Sequence, residues 1–248
     1  MAKQSGLLSS LYVAQYDLSG DVGAVNGIET SQAQQDVSAI NKAAVERIGL
    51  RRDGALSISS FWNTSALQEH VALSTALRTD RVVSYFVGST VGNAAASINA
   101  KQLNYATALG EDGSLGVTVN AAGSGFGLEW SGGGTGDGML TTGLQSYATG
   151  TVNGTSIDLG SASTAFGAAG YLHCTVMPSG TATFAIQDSA NDTDFTDVTG
   201  LVFTALTGPG SERKQTASGA TIRRYIRLQG TGVHGTASVA VNFIRYAA

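Results

Sequence analysis

In the segment Ala55 to Trp62, Leu56, Ile58, Ser60 and Trp62 fall on one face while Ala55, Ser57, Ser59 and Phe61 fall on the other. This period of two is what a half-buried β-strand demands and what a helix cannot satisfy. Arg81 to Val87 is a β-branched and aromatic run. Further strands are expected at Leu115 to Ala121, Tyr171 to Val176, Thr181 to Gln187, Leu201 to Leu206, Ile222 to Leu228 and Ala237 to Ile244. In the last of these Val239, Val241 and Phe243 share a face and should point into a core. Asp112-Gly113, between a segment ending near Ala108 and another beginning at Leu115, is the short-range signature of a hairpin turn. A mainly β fold follows.

Two stretches in the first half read differently. Val37, Ile40, Ala44 and Ile48 recur at helical spacing and Gly49 stands where a left-handed C-terminal cap is wanted, which predicts a helix over Ser38 to Ile48. Ser65 followed by Gln68 is a capping-box pattern ahead of Val71, Leu73 and Leu77, which predicts a second helix ending before Arg78 and Asp80. Between Ser131 and Gly138, Gly132, Gly133, Gly134, Gly136 and Gly138 crowd together. That density costs too much backbone entropy for a strand or helix interior, so a flexible linker is the simple reading. The chain is accordingly divided near residue 135 into an α+β N-terminal domain, residues 1–135, and an all-β C-terminal sandwich, residues 136–248.

Composition narrows the function. Charged residues are 13% of 248 and the net charge is −4, with 42% hydrophobic residues, which excludes the disordered class. The 33 glycines follow no Gly-X-Y period and there are only two prolines, so collagen is excluded. The single cysteine, Cys174, removes any intrachain disulfide framework or multi-cysteine zinc site. A reducing compartment is the default. Met1 to Gly20 lacks the continuous apolar core of a secretory signal, and no stretch approaches the length of a membrane-spanning helix. General nucleic-acid affinity is not expected of so acidic a chain. Charge is also segregated: residues 101–200 hold nine acids against Lys101, while residues 211–248 hold Arg213, Lys214, Arg223, Arg224, Arg227 and Arg245 against Glu212. A low-charge chain with segregated signs favours an ordered assembly over a free monomer.

No catalytic constellation emerges. His70, His173 and His234 are too far apart in sequence to form a close-spaced metal-binding pair. His173 and Cys174 are adjacent, and neighbours on one strand point to opposite faces, so a Cys-His nucleophile pair is disfavoured. Gly123-Ser124-Gly125-Phe126-Gly127 looks superficially like a phosphate loop, but no Lys-Ser or Lys-Thr follows and no helix pattern takes over. Asp188, Asp192, Asp194 and Asp197 form the one dense acidic cluster; without the glycine and terminal glutamate of an EF-hand loop, it reads as a solvated hairpin tip or a partner for basic residues rather than a calcium site. Arg223, Tyr225 and Arg227 alternate onto one strand face with Arg224 on the other. That pattern could grip a phosphate or carboxylate, but a ladder of cross-strand ion pairs and cation-π contacts is the reading favoured. No catalytic, cofactor-binding or metal residue is assigned, and a structural or binding role is favoured over catalysis.

Tyr16-Asp17-Leu18-Ser19-Gly20-Asp21, then Ile48-Gly49-Leu50-Arg51-Arg52-Asp53-Gly54-Ala55-Leu56-Ser57 with Phe61, and Leu77-Arg78-Thr79-Asp80-Arg81 give the chain a resemblance to the major tail tube proteins of long-tailed, siphovirus-type bacteriophages. Ala100-Lys101-Gln102-Leu103-Asn104-Tyr105 with Asp112-Gly113-Ser114, and Gly125-Phe126-Gly127-Leu128-Glu129-Trp130, extend it. In the second half, Ala168 to His173, Ile186 to Ala190, Arg223 to Arg227 and Phe243-Ile244-Arg245 are similar to the sandwich that some of these proteins carry. The resemblance implies two packed β-sheets with a flanking helix, hexameric rings stacked into a hollow tube, and a sandwich on its outside. It also implies a place in the virion tail, assembly in the host cytoplasm, and contacts with tape measure, tail terminator and distal tail proteins. Duplex DNA would pass through the lumen without specific binding, and no membrane is involved. The rival reading is a carbohydrate-binding or adhesion β-sandwich with Trp130, Tyr147 or Tyr171 as stacking platforms, which needs an exposed aromatic groove and no helix in the first half.

Overall fold

The computed structural model describes residues 5–75, 79–132, 137–160 and 163–246. Strands β1 (Ser10–Val13), β2 (Tyr16–Asp17), β3 (Val22–Asp36) and β4 (Arg47–Phe61) precede the helix α1 (Glu69–Leu73). Then come β5 (Asp80–Phe86), β6 (Ala95–Gln102), β7 (Ala106–Leu109), β8 (Leu115–Gly123) and β9 (Glu129–Ser131). These strands form one nine-stranded sheet, ordered β2-β1-β5-β6-β8-β4-β3, with β7 paired to β8 and β9 to β6. The predicted alternation holds in β4, where Leu56, Ile58 and Ser60 are buried and Ala55, Ser57 and Ser59 are half-buried. The Asp112-Gly113 turn closes β7 onto β8, with Gly113 in the left-handed region at φ +83°.

The second half contributes β10 (Gly138–Met139), β11 (Gln145–Tyr147), β12 (Val152–Asn153), β13 (Ile157–Asp158), β14 (Ala168–Val176) and β15 (Gly180–Ser189). It ends with β16 (Thr196–Val202), β17 (Gly210–Gln215), β18 (Tyr225–His234) and β19 (Ala237–Arg245). They make two five-stranded sheets, β10-β19-β14-β17 with β11, and β12-β18-β15-β16 with β13. Val239, Val241 and Phe243 point between these two sheets, against Phe184, Ile186 and Leu228. The predicted strand at Leu201 to Leu206 is shifted: β16 ends at Val202, and Leu206 makes an isolated bridge to Ala182.

The sheet of β10, β19, β14 and β17 is buried on both faces. Leu172, Cys174, Val239 and Val241 face the sandwich core, while Tyr171 and Ile244 pack on Val82, and Ala240 packs with Tyr12 and Phe86 of the first sheet. The molecule is thus three layers of sheet. That is why β14 runs for eight consecutive buried residues instead of alternating.

Two expectations fail. The helix predicted over Ser38 to Ile48 is a β-hairpin: β3 and β4 pair through Asp36↔Arg47, and the Val37 amide donates to the Glu46 carbonyl at 2.9 Å. The helical stripe has nothing to pack on, since Val37, Ile40 and Ile48 are all exposed. A short helix in water is marginal without a buried face, whereas the β3–β4 ladder satisfies the same backbone. The second helix shrinks to Glu69–Leu73, with Leu77 and Arg78 outside the described residues. Its capping box does not form; instead the distant Asp21 carboxylate accepts the Glu69 amide at 2.9 Å.

The glycine-rich segment is no loose tether at its described ends. Ser131 and Asp137 are buried, and a Cβ on Gly132 would lie 2.4 Å from the Ala94 Cα. Gly133, Gly134 and Gly136 lie outside the described residues.

Candidate functional site

The β3–β4 hairpin leaves the body of the molecule as an arm. Every residue from 29 to 53 is exposed, including Val37, Val45, Ile48 and Leu50, and Ile40 is fully open to solvent. Large apolar side chains concentrated on one projection mark a surface that another molecule covers. Charge is mixed along the arm: at the tip Asp36 stands directly across from Arg47 and Glu46 pairs with Lys42 at 2.9 Å, while the root carries Arg51 and Arg52 beside Asp53. Among the described residues none of the three arginines has a carboxylate partner.

Beside the root lies an open groove of about 1000 Å³, lined by Arg51, Arg52, Phe126, Leu128, Phe166 and Tyr246 among others. The loop between β8 and β9 can lie this close to the arm because it meets glycine there: a Cβ on Gly54 would sit 2.5 Å from the Leu128 amide nitrogen. The groove floor is fixed from below. Glu129 accepts hydrogen bonds from Tyr171 and, at 2.8 Å, from Tyr246, and pairs with Arg213 at 2.9 Å. Arg213 lies 3.6 Å over the Phe126 ring, so the first sheet and the sandwich share one network beneath the groove.

The part of the first sheet's open face formed by β7, β8 and Ala55–Phe61 is uncharged. Ser57 is paired across from Asn120 and Ser59 from Thr118, and neither β7, β8 nor the Ala55–Phe61 part of β4 contains a charged residue.

The residues singled out from sequence are spread over the molecule. His173 and Cys174 lie on opposite faces of β14, one in the seam between sheets and the other in the sandwich core, where burial pushes the thiol up to about 11. Asp188 is buried and holds Arg223, Asp197 accepts from Gln187 at 2.8 Å, and Asp194 accepts from Asn191 at 2.7 Å. Arg224 forks onto Asp158 at 2.6 Å, and Arg227 lies 4.0 Å over Phe195 while donating to Gln187. The arginine ladder is therefore closed within the chain. Among the described residues no three His, Cys, Asp or Glu side chains converge as a metal-ligand set. His70 stacks on Trp62 with ring centroids 4.2 Å apart, and its Nδ1 is 2.9 Å from the Tyr105 hydroxyl. His234 is buried at the far end of β18. Of the aromatic platforms that the adhesion reading requires, Tyr147 and Tyr171 are completely buried and cannot stack on a sugar; Trp130 is half exposed.

No protein-family model matches the chain, and no curated protein does. Among solved structures it is similar to the tube-terminating cap of an anti-feeding prophage, at 5% identity and a TM-score of 0.42, over 53% of this chain and 92% of that one. It is also similar to a chain in the tail of an empty GTA particle of C6 symmetry, at 13% identity and a TM-score of 0.40, over 53% of this chain and 99% of that one. The Dit protein of phage SPP1 is similar over 96% of this chain and 99% of its own, at 8% identity and a TM-score of 0.33.

The arm and its groove were not singled out from sequence. Val37, Ile40 and Ile48 carry a genuine helical period, and the groove joins residues more than a hundred positions apart. The one available signal is that three consecutive charged residues, Arg51, Arg52 and Asp53, interrupt β4 just upstream of the alternating segment that begins at Ala55, the mark of a strand leaving its core.

Proposed function

We propose that this chain is a structural subunit of a bacteriophage tail, and more narrowly a major tail tube protein that closes into hexameric rings and stacks them into a hollow tube. The observation that carries this reading is the arm: five large apolar side chains between Val37 and Leu50 stand in solvent with nothing in their own chain to cover them. A protein that lives as a monomer would pay for that surface in aggregation, whereas a subunit buries it on a neighbour. The family resemblance across most of the sequence points the same way.

The uncharged face of Ala55–Phe61, β7 and β8 suits the wall of a channel for DNA. Duplex DNA carries a phosphate charge about every 1.7 Å, so a basic wall would hold it and a neutral one lets it slide. The role is structural rather than catalytic, and the adhesion alternative is weakened by the burial of Tyr147 and Tyr171.

The test is negative-stain electron microscopy of the purified chain with its mass by light scattering. Rings or hollow tubes in multiples of six subunits are expected. A chain that stays monomeric at its highest soluble concentration, both alone and with a crowding agent, overturns the reading.

A further inference from the structure

We propose that α1 is a proton-controlled lid over the apolar interior of the first sheet, held tightly closed while the Glu69 carboxyl carries its proton and loosened when that proton leaves. The inference does not depend on the assembly role proposed above.

The lid has something to cover. Ala72 and Leu73 are buried in the core that contains Leu56, Ile58, Val83, Ile98 and Val119. Leu73 is also one wall of a small cavity of about 30 Å³, whose other walls include Leu56, Ile58, Val83 and Val119. Arg81 and Gln102 line the same cavity and hold the end of the helix against it: Arg81 donates to the Ala72 carbonyl at 2.6 Å and Gln102 to the Leu73 carbonyl at 2.9 Å. At the other end the Asp21 carboxylate accepts the Glu69 amide. Five residues do not hold a helix by themselves in water, and Gln68 supplies no side-chain cap. The helix is therefore docked as a unit, by side chains from three other parts of the chain.

Inside this clasp sits a carboxyl group that the docked state accommodates poorly as an anion. Glu69 is 0% exposed and its Oε1 has no hydrogen-bond partner. The Tyr105 hydroxyl reaches Oε2 only at 3.4 Å, and the Asn63 backbone amide is the other donor facing the group. Three titratable side chains face it as well. Asp21, at the helix N-terminus, repels the anion; His70, on α1 itself, favours it; Tyr105, ahead of β7, is tied in turn to His70 Nδ1 at 2.9 Å. The Arg81 guanidinium is committed to the Ala72 carbonyl, and among the described residues Glu69 forms no ion pair. Burial outweighs the donors and raises the carboxyl above its ordinary 4.5. A buried carboxylate without a counter-charge is unfavourable, so the closed lid keeps the neutral acid.

The closed lid thus binds this proton more tightly than the open one. Closure is at full strength below pH 4.5, weakens as the pH rises through the raised carboxyl value, and stays weak above it.

Hydrogen–deuterium exchange on the full chain tests this at the Ala72 and Ser74 amides, which donate to the Gln68 and His70 carbonyls. Corrected for the intrinsic rate, their protection should fall at least about threefold between pH 4.5 and pH 7.5, while amides of β14 show no such loss. Glu69→Gln, neutral and of the same shape, should raise protection at pH 7.5 and flatten its pH dependence. Tyr105→Phe removes the donor to Oε2 and should lower protection at pH 7.5 further. His70→Gln should leave the pH dependence in place. Should Glu69→Gln fail to fold, the wild type and Tyr105→Phe decide. Wild-type protection that stays level or rises with pH overturns the lid, as does a pH dependence that survives Glu69→Gln or vanishes in His70→Gln.

Discussion

His173 Nε2 lies 2.8 Å from Ser84 Oγ, while its other ring nitrogen lies 2.8 Å from the Ala14 carbonyl oxygen. A carbonyl can only accept, so Nδ1 carries the proton and Nε2 accepts from the serine. The chain of donors continues without a gap: Ser97 to Ser84 at 2.7 Å, Asn242 to Ser97 at 2.9 Å, and Ser131 to Asn242 at 2.6 Å. All these side chains are buried. A fully satisfied polar seam of this kind fixes how one sheet sits on another, because any other register leaves a buried group without a partner.

The seam makes stability fall in acid. Burial holds the His173 imidazole down to about 4, from 6.5 in an unfolded chain, so as pH falls the unfolded chain takes up the proton first. The contribution is complete above pH 6.5, declines between 6.5 and 4, and is lost below that. It amounts to on the order of 3 kcal/mol. Urea denaturation of the wild type and of His173→Gln at pH 7 and pH 4.5 checks this: the variant should be less stable at pH 7 and show a shallower pH dependence across that window.

The Glu129–Arg213 pair should behave as a buried one. Their side chains are only 13% and 6% exposed, so Arg213→Met leaves a carboxylate without its counter-charge and should cost about 3–5 kcal/mol. The double variant Glu129→Gln/Arg213→Met should recover much of that loss in chemical denaturation. Equal costs for the single and double variants would contradict the pairing.

Gly180 and Gly113 separate steric clash from backbone strain. Both have φ near +80°, but a Cβ at Gly180 would sit 1.9 Å from the Val233 carbonyl oxygen, whereas a Cβ at Gly113 meets nothing within 4 Å. Gly180→Ala should cost about 2–4 kcal/mol and Gly113→Ala only about 1 kcal/mol. Thermal melts of the two variants decide it.

Removing the arm should leave the fold intact. With no residue of 29–53 buried, replacing residues 31–52 by a tight turn deletes no core and should change stability by less than about 1 kcal/mol. The same variant should scatter light as a monomer under conditions where the full chain assembles.

Much of the fold was legible residue by residue. The alternation from Ala55, the hairpin at Asp112-Gly113 and the inward face of Val239, Val241 and Phe243 all record one buried side of a strand, which a local period can carry. The opposite placement of His173 and Cys174 follows from the same geometry. Other assignments were beyond local reading. The stripe from Val37 to Ile48 fits a helix, but the chain offers that helix no surface, and pairing with β3 decided for a hairpin. Nothing in the sequence marks the polar residues Ser84, Ser97 and Asn242 as core, and they are buried because a second sheet closes over them. Ser65 was placed to cap a helix that Asp21, 48 residues away from Glu69, caps instead. Sequence determined which residues form strands and which way most of them face. The tertiary structure decided what covers the second face, because that depends on which distant strands meet, and with it where the arm projects and where the groove opens beside it.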